Sequence, residues 1–186
     1  KTSPFKTFFM KQKLWLIVLL LSQFVVSCKK DFIDDGYPHH SEGDRHHLKI
    51  AIVSDIHYMD PSLLGAGGAA GLAFQNYLNQ DPKLVEYSDP IFRKVMGELK
   101  RENPDILLVP GDITKDGEKV GHQAMAGFFR QLERQGIKVY VIPGNHDINN
   151  AKAKKYIGDN DYPVDMTSKT DFADIYANFG YNNAVS

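Results

Sequence analysis

The chain has 186 residues, of which 42% are hydrophobic and 24% are charged, which is the composition of a globular protein and excludes a disordered or fibrous one. Its 22 basic and 23 acidic residues give a formal charge of -1, so no global field would attract nucleic acid, and we expect no nucleic-acid partner. The single cysteine, Cys28, excludes a disulfide within this sequence.

The start of the chain predicts an export signal. From Met10 onward, two lysines precede an apolar run over residues 14–26, and Ser27 and Cys28 follow it. The segment Val25-Val26-Ser27-Cys28 resembles the lipobox of bacterial lipoproteins, in which the cysteine carries lipid. An ordinary cleaved signal is one alternative, and a spanning helix is another, although a span needs about 20 apolar residues. We therefore expect a lipid anchor at Cys28 and a bacterial cell-envelope location, periplasmic or at the cell surface.

Three regions follow from the change in composition along the chain. Residues 1–28 form the predicted export signal with its lipobox. Residues 29–47 have no apolar periodicity and predict a polar linker. Residues 48–186 carry the patterns of a folded domain.

Short apolar runs predict three buried strands in this domain, over residues 48–53, 106–109 and 137–142. Helical patterns separate them. Strands that alternate with helices indicate an α/β fold with a βαβαβ order, mostly parallel strands and side chains buried on both faces of the sheet.

The spacing of apolar residues predicts the inward faces of the helices. The first helix would bury Leu84, Tyr87, Ile91, Val95 and Leu99. The second would bury Ala124, Met125, Phe128 and Leu132, and would end at Gly136. After a loop at residues 159–161, a helix over residues 171–179 would bury Phe172, Ile175, Tyr176 and Phe179.

Polar residues follow each predicted strand. They are Asp55 and His57 after the first, Asp112 after the second, and Asn145, His146 and Asp147 after the third. Because the carboxyl ends of parallel strands meet at one edge of a sheet, we expect these residues to converge. Carboxylate, imidazole and amide ligands without thiolate suit Mn, Fe, Zn or Mg. A pair of such ions can bind phosphate oxygens and lower the pKa of a water molecule.

The three blocks Asp55-x-His57, Gly111-Asp112 and Gly144-Asn145-His146-Asp147 resemble, in this order, the first three motifs of the calcineurin-like metallophosphoesterase family. The resemblance implies a four-layer αββα sandwich, of which this chain would hold a part. It also implies two divalent metal ions and a substrate that is a phosphoester small molecule or a phosphorylated molecule.

The resemblance further implies a role for each residue. Asp55 and His57 would bind the first metal, Asp112 would bridge both metals, and Asn145 would bind the second.

Two more residues would act on the substrate. His146 would help the leaving oxygen depart, and Asp147 would orient the imidazole of His146, because a neighbouring carboxylate fixes a tautomer and raises its basicity. Gly111 and Gly144 would allow sharp turns where a side chain would crowd the metals.

The sequence departs from the family in one respect. Family members complete the site with further histidines, whereas no histidine follows His146 here. We therefore expect an N-terminal part of a longer phosphatase or phosphodiesterase, with a domain that is incomplete at its C-terminal end and an active parent protein. The alternative is an envelope lipoprotein that uses the fold as a binding module with a degenerate metal site.

Three other features allow two interpretations each. Asp116 and Gly117 fit either a continuation of the second motif or an ordinary turn before a helix. His122 lies within a predicted helix, and we expect it at the surface rather than in the site. The loop from Tyr58 to Asn79 would either serve as a lid or specificity element for the substrate or pack on the domain as an apolar loop.

Overall fold

A computed structural model of the chain describes residues 47–81 and 83–182. The predicted export signal, the lipobox at Cys28 and all but the last residue of the predicted linker lie outside the described residues. Within residues 47–81 and 83–182, no helix has both the length and the apolar character that crossing a bilayer requires.

The domain is built around a parallel sheet of three strands. These are β1 (Ile50–Ile52), β2 (Ile106–Gly111) and β3 (Lys138–Pro143), and β2 lies between the other two. In the register of the sheet, Ile50 is opposite Ile106, and Ile106 is opposite Lys138. The predicted mixed α/β fold with parallel strands is therefore confirmed.

Helices and one hairpin complete the described part of the domain. The helices are α1 (Leu72–Gln80), α2 (Ser88–Glu102), α3 (Lys119–Glu133) and α4 (Lys169–Ile175). The antiparallel hairpin pairs β4 (Lys154–Ile157) with β5 (Asn160–Pro163). Short 3-10 turns span Pro61–Leu63, Gly68–Ala70 and Val85–Tyr87, and a π-helical segment spans Ala177–Tyr181.

The main core lies between one face of the sheet and three helices. Alternate residues of β2 and β3, which point to the same face because the side-chain period of a strand is two, meet the aromatic side chains of α2, α3 and α4. The buried set includes Leu107, Val109, Val139, Val141, Phe92, Phe129, Phe172 and Tyr176. Burying each such side chain contributes about 1.5–3 kcal/mol, so this core holds α2, α3 and α4 against the sheet.

The opposite face of the sheet is exposed in the described part of the chain. Ile50, Ile52 and Ile142 are 50%, 66% and 63% exposed. The prediction of strands buried on both faces is therefore wrong for these residues. The physical reason is that α2, α3 and α4 all pack against the face that carries Leu107 and Val109.

The inward face of α2 also differs from the prediction. The helix begins at Ser88, so Leu84 and Tyr87 precede it, and they are exposed together with Ile91. The buried residues are Phe92, Met96 and Leu99. More than one set of apolar residues in this segment has spacings of three and four, and the set that contains the aromatic Phe92 is the one that faces the core. The predictions for Met125 and Leu132 in α3 and for Phe172, Tyr176 and Phe179 near the end of the chain are confirmed.

A second, smaller core lies under the loop that follows β1. It contains Met59, Leu63, Phe74, Val85 and Tyr156. The loop is held to the hairpin by the backbone, since the Gly65 N–H donates to the Tyr156 carbonyl at 2.8 Å. The interpretation that this loop packs on the domain is therefore confirmed.

Two elements of this region were not predicted. Residues 159–161, expected as a loop, include the start of β5, whose residues are all exposed and show no apolar alternation. Helix α1 lies between Gly71 and Asp81, and only Phe74 of its residues is buried. Strand β5 carries no periodicity because it is solvated. Helix α1 does carry apolar residues at helical spacings, which pack in or against the smaller core, so its signal was present in the sequence and was not recognised: Ala73, Phe74, Tyr77 and Leu78.

Candidate metal centre

Asp55, His57 and Asp112 converge at the carboxyl ends of β1 and β2. One ligand atom from each lies within 4.8 Å of the others. The His57 Nε2 atom is 3.7 Å from Asp112 Oδ2, and the Asp112 N–H points at Asp55 Oδ1 from 3.4 Å. The two loops are aligned by a backbone hydrogen bond in which the His57 N–H donates to the Asp112 carbonyl at 3.0 Å. The predicted convergence of these three residues is therefore present in the structure.

The backbone of this site is unusual at both candidate ligands that follow β1. Asp55 has φ of 50° and His57 has φ of 46°, in the left-handed region that residues with a side chain rarely adopt. Each such residue costs on the order of 1–3 kcal/mol unless the surrounding structure stabilises it. Strain of this kind is concentrated at functional sites, which marks this segment for a role other than stability.

Gly111 and Gly144 allow the chain to pass close to the carboxylates. Gly111 has φ of 92°, and a Cβ atom there would lie 2.5 Å from Asp55 Oδ1. A Cβ atom at Gly144 would overlap the carboxylate of Asp112. Glycine is therefore required at both positions. The reason visible in the structure is contact with the carboxylates of Asp55 and Asp112, and the predicted crowding of metal ions stays a prediction.

His57 is suited to bind a cation. Burial, and after it the charge of Lys83, lowers the pKa of His57, so its imidazole is neutral and has a lone pair to offer. Its Nδ1 atom is buried and has no hydrogen-bond partner among the described residues. Two carboxylates and a neutral imidazole form a donor set that fits a divalent cation such as Mn²⁺ or Zn²⁺.

His146 lies directly beside this group. Its ring is 5.5 Å from the ring of His57 and perpendicular to it, and its backbone N–H donates to Asp112 Oδ1 at 2.8 Å. Its Nδ1 atom is 2.9 Å from Asp116 Oδ1 and 2.9 Å from the Lys115 carbonyl. Because both neighbours are acceptors, the geometry favours a proton on Nδ1 and leaves Nε2 free to face a ligand.

Asp147 does not orient His146, contrary to the prediction. Its fully buried carboxylate accepts hydrogen bonds from the backbone N–H groups of Ile113, Thr114 and Gly144, and from the Thr114 hydroxyl, at distances of 2.8–3.1 Å. Burial raises the pKa of Asp147, and these hydrogen bonds oppose that shift. Asp147 therefore joins the loops after β2 and β3, and Asp116 is the carboxylate in contact with the imidazole.

Asp116 belongs to a buried ion-pair network that sequence reasoning missed. Lys115 Nζ is 2.6 Å from Asp116 Oδ2 and 2.8 Å from Glu118 Oε1. Burial opposes the charge on Lys115, but Glu118 and Asp116 outweigh it and raise the pKa of the lysine. Gly117 closes this turn with φ of 76°. The sequence signal was the Asp116-Gly117 pair, which fits an ordinary turn equally well.

His122 is buried, and the prediction of a surface histidine is wrong. Its Nε2 atom lies 3.1 Å from Thr114 Oγ1, and its Nδ1 atom lies 2.9 Å from the Tyr176 hydroxyl. The sequence did carry a signal, because Met125 and Phe129 follow at helical spacings of three and seven on the same buried face.

Asn145 lies in the turn after β3, and it is exposed. Its role as a ligand of a second metal stays a prediction.

The fold and the site together define an α/β domain with candidate cation ligands after the ends of parallel strands. Comparison with known proteins agrees with this fold. The sequence profile described as calcineurin-like phosphoesterase matches residues 48–185. The chain belongs to the calcineurin-like phosphoesterase family, whose members generally use divalent metals.

Two curated relatives match shorter segments. A probable cyclic nucleotide phosphodiesterase of Synechococcus sp. is 28% identical over 106 residues, which are 56% of this chain and 33% of that protein. A probable cyclic nucleotide phosphodiesterase of Vesicomyosocius okutanii is 33% identical over 58 residues, which are 31% of this chain and 24% of that protein. The matched segments thus span a third or less of the length of these relatives.

Proposed function

We propose that this chain provides part of the active site of a metal-dependent phosphoester hydrolase. The observation that carries the proposal is the group of Asp55, His57 and Asp112 within 4.8 Å, with His146 beside it. Family membership and two relatives named as probable cyclic nucleotide phosphodiesterases favour a small phosphoester as substrate, and a phosphodiester in particular. The envelope location and the lipid anchor at Cys28 rest on the sequence and are part of this proposal.

Asp55, His57 and Asp112 would hold the first divalent cation. Asp112 would also reach a second cation, held in part by Asn145, because the Asp112 carboxylate lies between the β1 loop and the β3 loop. Bound divalent cations would neutralise phosphoryl oxygens and activate a water molecule for attack. Mn, Fe and Zn all suit these ligands.

His146 would transfer a proton. Asp116 and the Lys115 carbonyl hold its Nδ1 side, so Nε2 is presented to the substrate. When both nitrogens are protonated, the Asp116 carboxylate would stabilise the imidazolium, and Nε2 would give its proton to the leaving oxygen. The backbone hydrogen bond from His146 to Asp112 fixes the distance between the proton donor and the cation ligands.

Cation binding by the chain is the first test. Calorimetric titration with Mn²⁺ should show binding, and Asp112→Asn should weaken it by more than about tenfold, since even groups that only support a ligand typically change metal affinity about 10–100-fold. The matched control is Asp159→Asn, which changes an exposed aspartate in the turn of the hairpin. Equal affinities in wild type and Asp112→Asn would contradict the assigned ligands.

Turnover is the second test. With Mn²⁺ present, the full-length protein should hydrolyse bis-p-nitrophenyl phosphate or p-nitrophenyl phosphate, and His146→Gln should lower its kcat by about 10²–10⁴-fold while leaving Mn²⁺ affinity unchanged. A full-length protein that binds Mn²⁺ but hydrolyses neither ester would contradict the hydrolase proposal and favour the binding-module alternative.

A further inference from the structure

A cavity of about 420 Å³ opens between α1 and the β4–β5 hairpin. Its walls include Asn76, Tyr77 and Gln80 from α1, and Lys154 and Tyr156 from β4. The volume is within the range of about 300–1,000 Å³ that small-molecule sites in proteins occupy. The cavity is large enough for one organic group of moderate size.

The cavity adjoins the candidate site at His146. His146 and Asp116 line the cavity, and the His146 ring also lies 5.5 Å from the His57 ring, so one imidazole borders both the cavity and the group of candidate ligands. If a phosphoryl group lies beside His146, the organic group attached to it has a direct path into the cavity. The cavity therefore adjoins the place where the leaving group would be.

The chemistry of the walls favours a polar occupant. Apart from Ala73 and the two tyrosine rings, the lining side chains are amides, charged groups or the imidazole of His146. Asn76 and Gln80 are exposed and lie four residues apart on α1, so they are on one face of the helix. A side-chain amide offers both a donor and an acceptor, and an acyl chain would remove such groups from water without replacing their hydrogen bonds.

The aromatic wall has a fixed orientation. The Tyr77 ring is nearly parallel to the Phe74 ring, with an angle of 13° and 5.9 Å between centroids, and the Tyr77 hydroxyl donates to Asp81 Oδ2 at 3.1 Å. Lys115 Nζ lies 4.8 Å from the Tyr77 ring centroid. The ion-pair network that holds His146 through Asp116 thus also holds this wall.

We propose that this cavity binds the organic group of the phosphoester, and that this group is a hydrogen-bonding ring system of the size of a nucleoside or a sugar. The inference rests on the proposed function for the position of the phosphate, and it adds the class of substrate. Asn76 and Gln80 determine specificity by hydrogen bonding to the ring system.

The experiment compares ligands that share a phosphate. With Mn²⁺ present, the chain is titrated with inorganic phosphate, adenosine 5′-monophosphate, glucose 6-phosphate and decyl phosphate. We expect the nucleotide or the sugar phosphate to bind at least about tenfold more tightly than inorganic phosphate. Whichever of these two ligands binds more tightly shows whether the ring system is that of a nucleoside or that of a sugar.

Variants of α1 test the residues. Asn76→Ala/Gln80→Ala should bring the dissociation constant of the preferred ligand to within about twofold of that of inorganic phosphate. The matched control is Asn79→Ala, which removes an exposed amide of the same helix outside the cavity and should change nothing. Equal affinities for all four ligands, or tightest binding of decyl phosphate, would overturn the inference.

A metal-free arm separates this inference from the proposed function. Adenosine and glucose are titrated without Mn²⁺, and binding is followed by saturation-transfer NMR. If inorganic phosphate fails to bind in the presence of Mn²⁺, while adenosine or glucose binds without Mn²⁺ and this binding disappears in Asn76→Ala/Gln80→Ala, the phosphate site is refuted and the cavity is supported. If neither adenosine nor glucose binds, and neither phosphorylated ligand binds more tightly than inorganic phosphate, the role of the cavity is refuted and the phosphate site is not.

Discussion

The two sides of the candidate metal centre are held in different ways. On the β1 side, Asp55 and His57 have left-handed backbone conformations, and His57 Nδ1 has no partner among the described residues. On the β2–β3 side, the carboxylate of Asp147 accepts hydrogen bonds from both loops, and Asp116 holds the ring of His146. One side is organised by the hydrogen bonds of the protein, and the other stores strain.

The hydrogen-bonded side fixes the position of the site, whereas the strained side carries groups that would bind the cation. Hydrogen bonds to a charged group are worth about 1.5–3 kcal/mol each, so the network around Asp147 fixes the loops without help from a ligand. The β1 side keeps a neutral imidazole and a carboxylate in a conformation that costs stability, which a bound cation would offset. The predictions below test this comparison.

The largest effect is expected from removing the central acceptor of the ordered side. Asp147→Ala would leave the N–H groups of Ile113, Thr114 and Gly144 buried without their acceptor. We expect a loss of about 3–5 kcal/mol in the free energy of unfolding, measured by urea denaturation. A similar loss is not expected for Asp55→Ala on the β1 side, where the change should stay below about 1 kcal/mol.

The unfolding free energies of Asp147→Ala and Asp55→Ala show whether the two sides differ in their importance for folding. If Asp55→Ala destabilised the protein as much as Asp147→Ala, the two sides would be equally important for folding, and the proposed difference would be wrong. Asp147→Asn, which keeps the shape but presents an amide N–H to one of the backbone donors, should fall between the two variants.

The sequence predicted the position of the site better than its internal contacts. Asp55, His57 and Asp112 could be placed at one sheet edge because buried strands are recognisable from apolar runs and parallel strands share a direction. The partner of His146 could not be deduced, because Asp147 is adjacent in sequence whereas Asp116 is 30 residues away. Adjacent residues on a turn diverge in direction, and contact depends on how the two loops fold.

The elements of the fold likewise divide into those that the sequence predicted and those that it did not. Strands β1 to β3 and helices α2 and α3 follow from periodicity, whereas strand β5 of the hairpin is exposed at every residue and gives no periodic signal. Helix α1 was missed although Phe74, Tyr77 and Leu78 have helical spacing. The inward face of α2 could not be deduced from the spacing of apolar residues alone, since only the packed core shows that Phe92 rather than Ile91 is buried. Elements that bury little are held by backbone pairing, which the side-chain pattern does not reveal.

A smaller effect is expected from acid. Burial lowers the pKa of His122 to about 4, and a hydrogen bond to the Asp147 carbonyl opposes this shift. The unfolded chain has the ordinary pKa of 6.5, so it binds a proton before the folded protein does as the pH falls. His122 therefore contributes stability above pH 6.5 that is lost as the pH falls to about 4, by about 3 kcal/mol in total.

Urea unfolding of wild type and His122→Gln between pH 4 and pH 7.5 measures this contribution, because carboxyl groups that titrate in the same range are common to both proteins. The difference in unfolding free energy between them should shrink as the pH falls. A difference that does not change with pH would show that His122 does not remain neutral in the fold.

The smallest effect on stability is expected on the strained side. His57→Gly removes a left-handed residue and a buried nitrogen without a partner, but it also removes the ring that contacts His146 and adds freedom to the unfolded chain. Without metal, the free energy of unfolding should change by less than about 1 kcal/mol. With saturating Mn²⁺, wild type should gain stability and His57→Gly should not, because only a cation bound to the folded state shifts the equilibrium.

Asn149→Gly is the matched control, since Asn149 has φ of 52° and is not a candidate ligand. It should keep the full stabilisation by Mn²⁺. If His57→Gly kept that stabilisation too, or lost several kcal/mol in the absence of metal, His57 would be a structural residue. The strained β1 side would then serve the fold, and the contrast with the side organised by Asp147 would disappear.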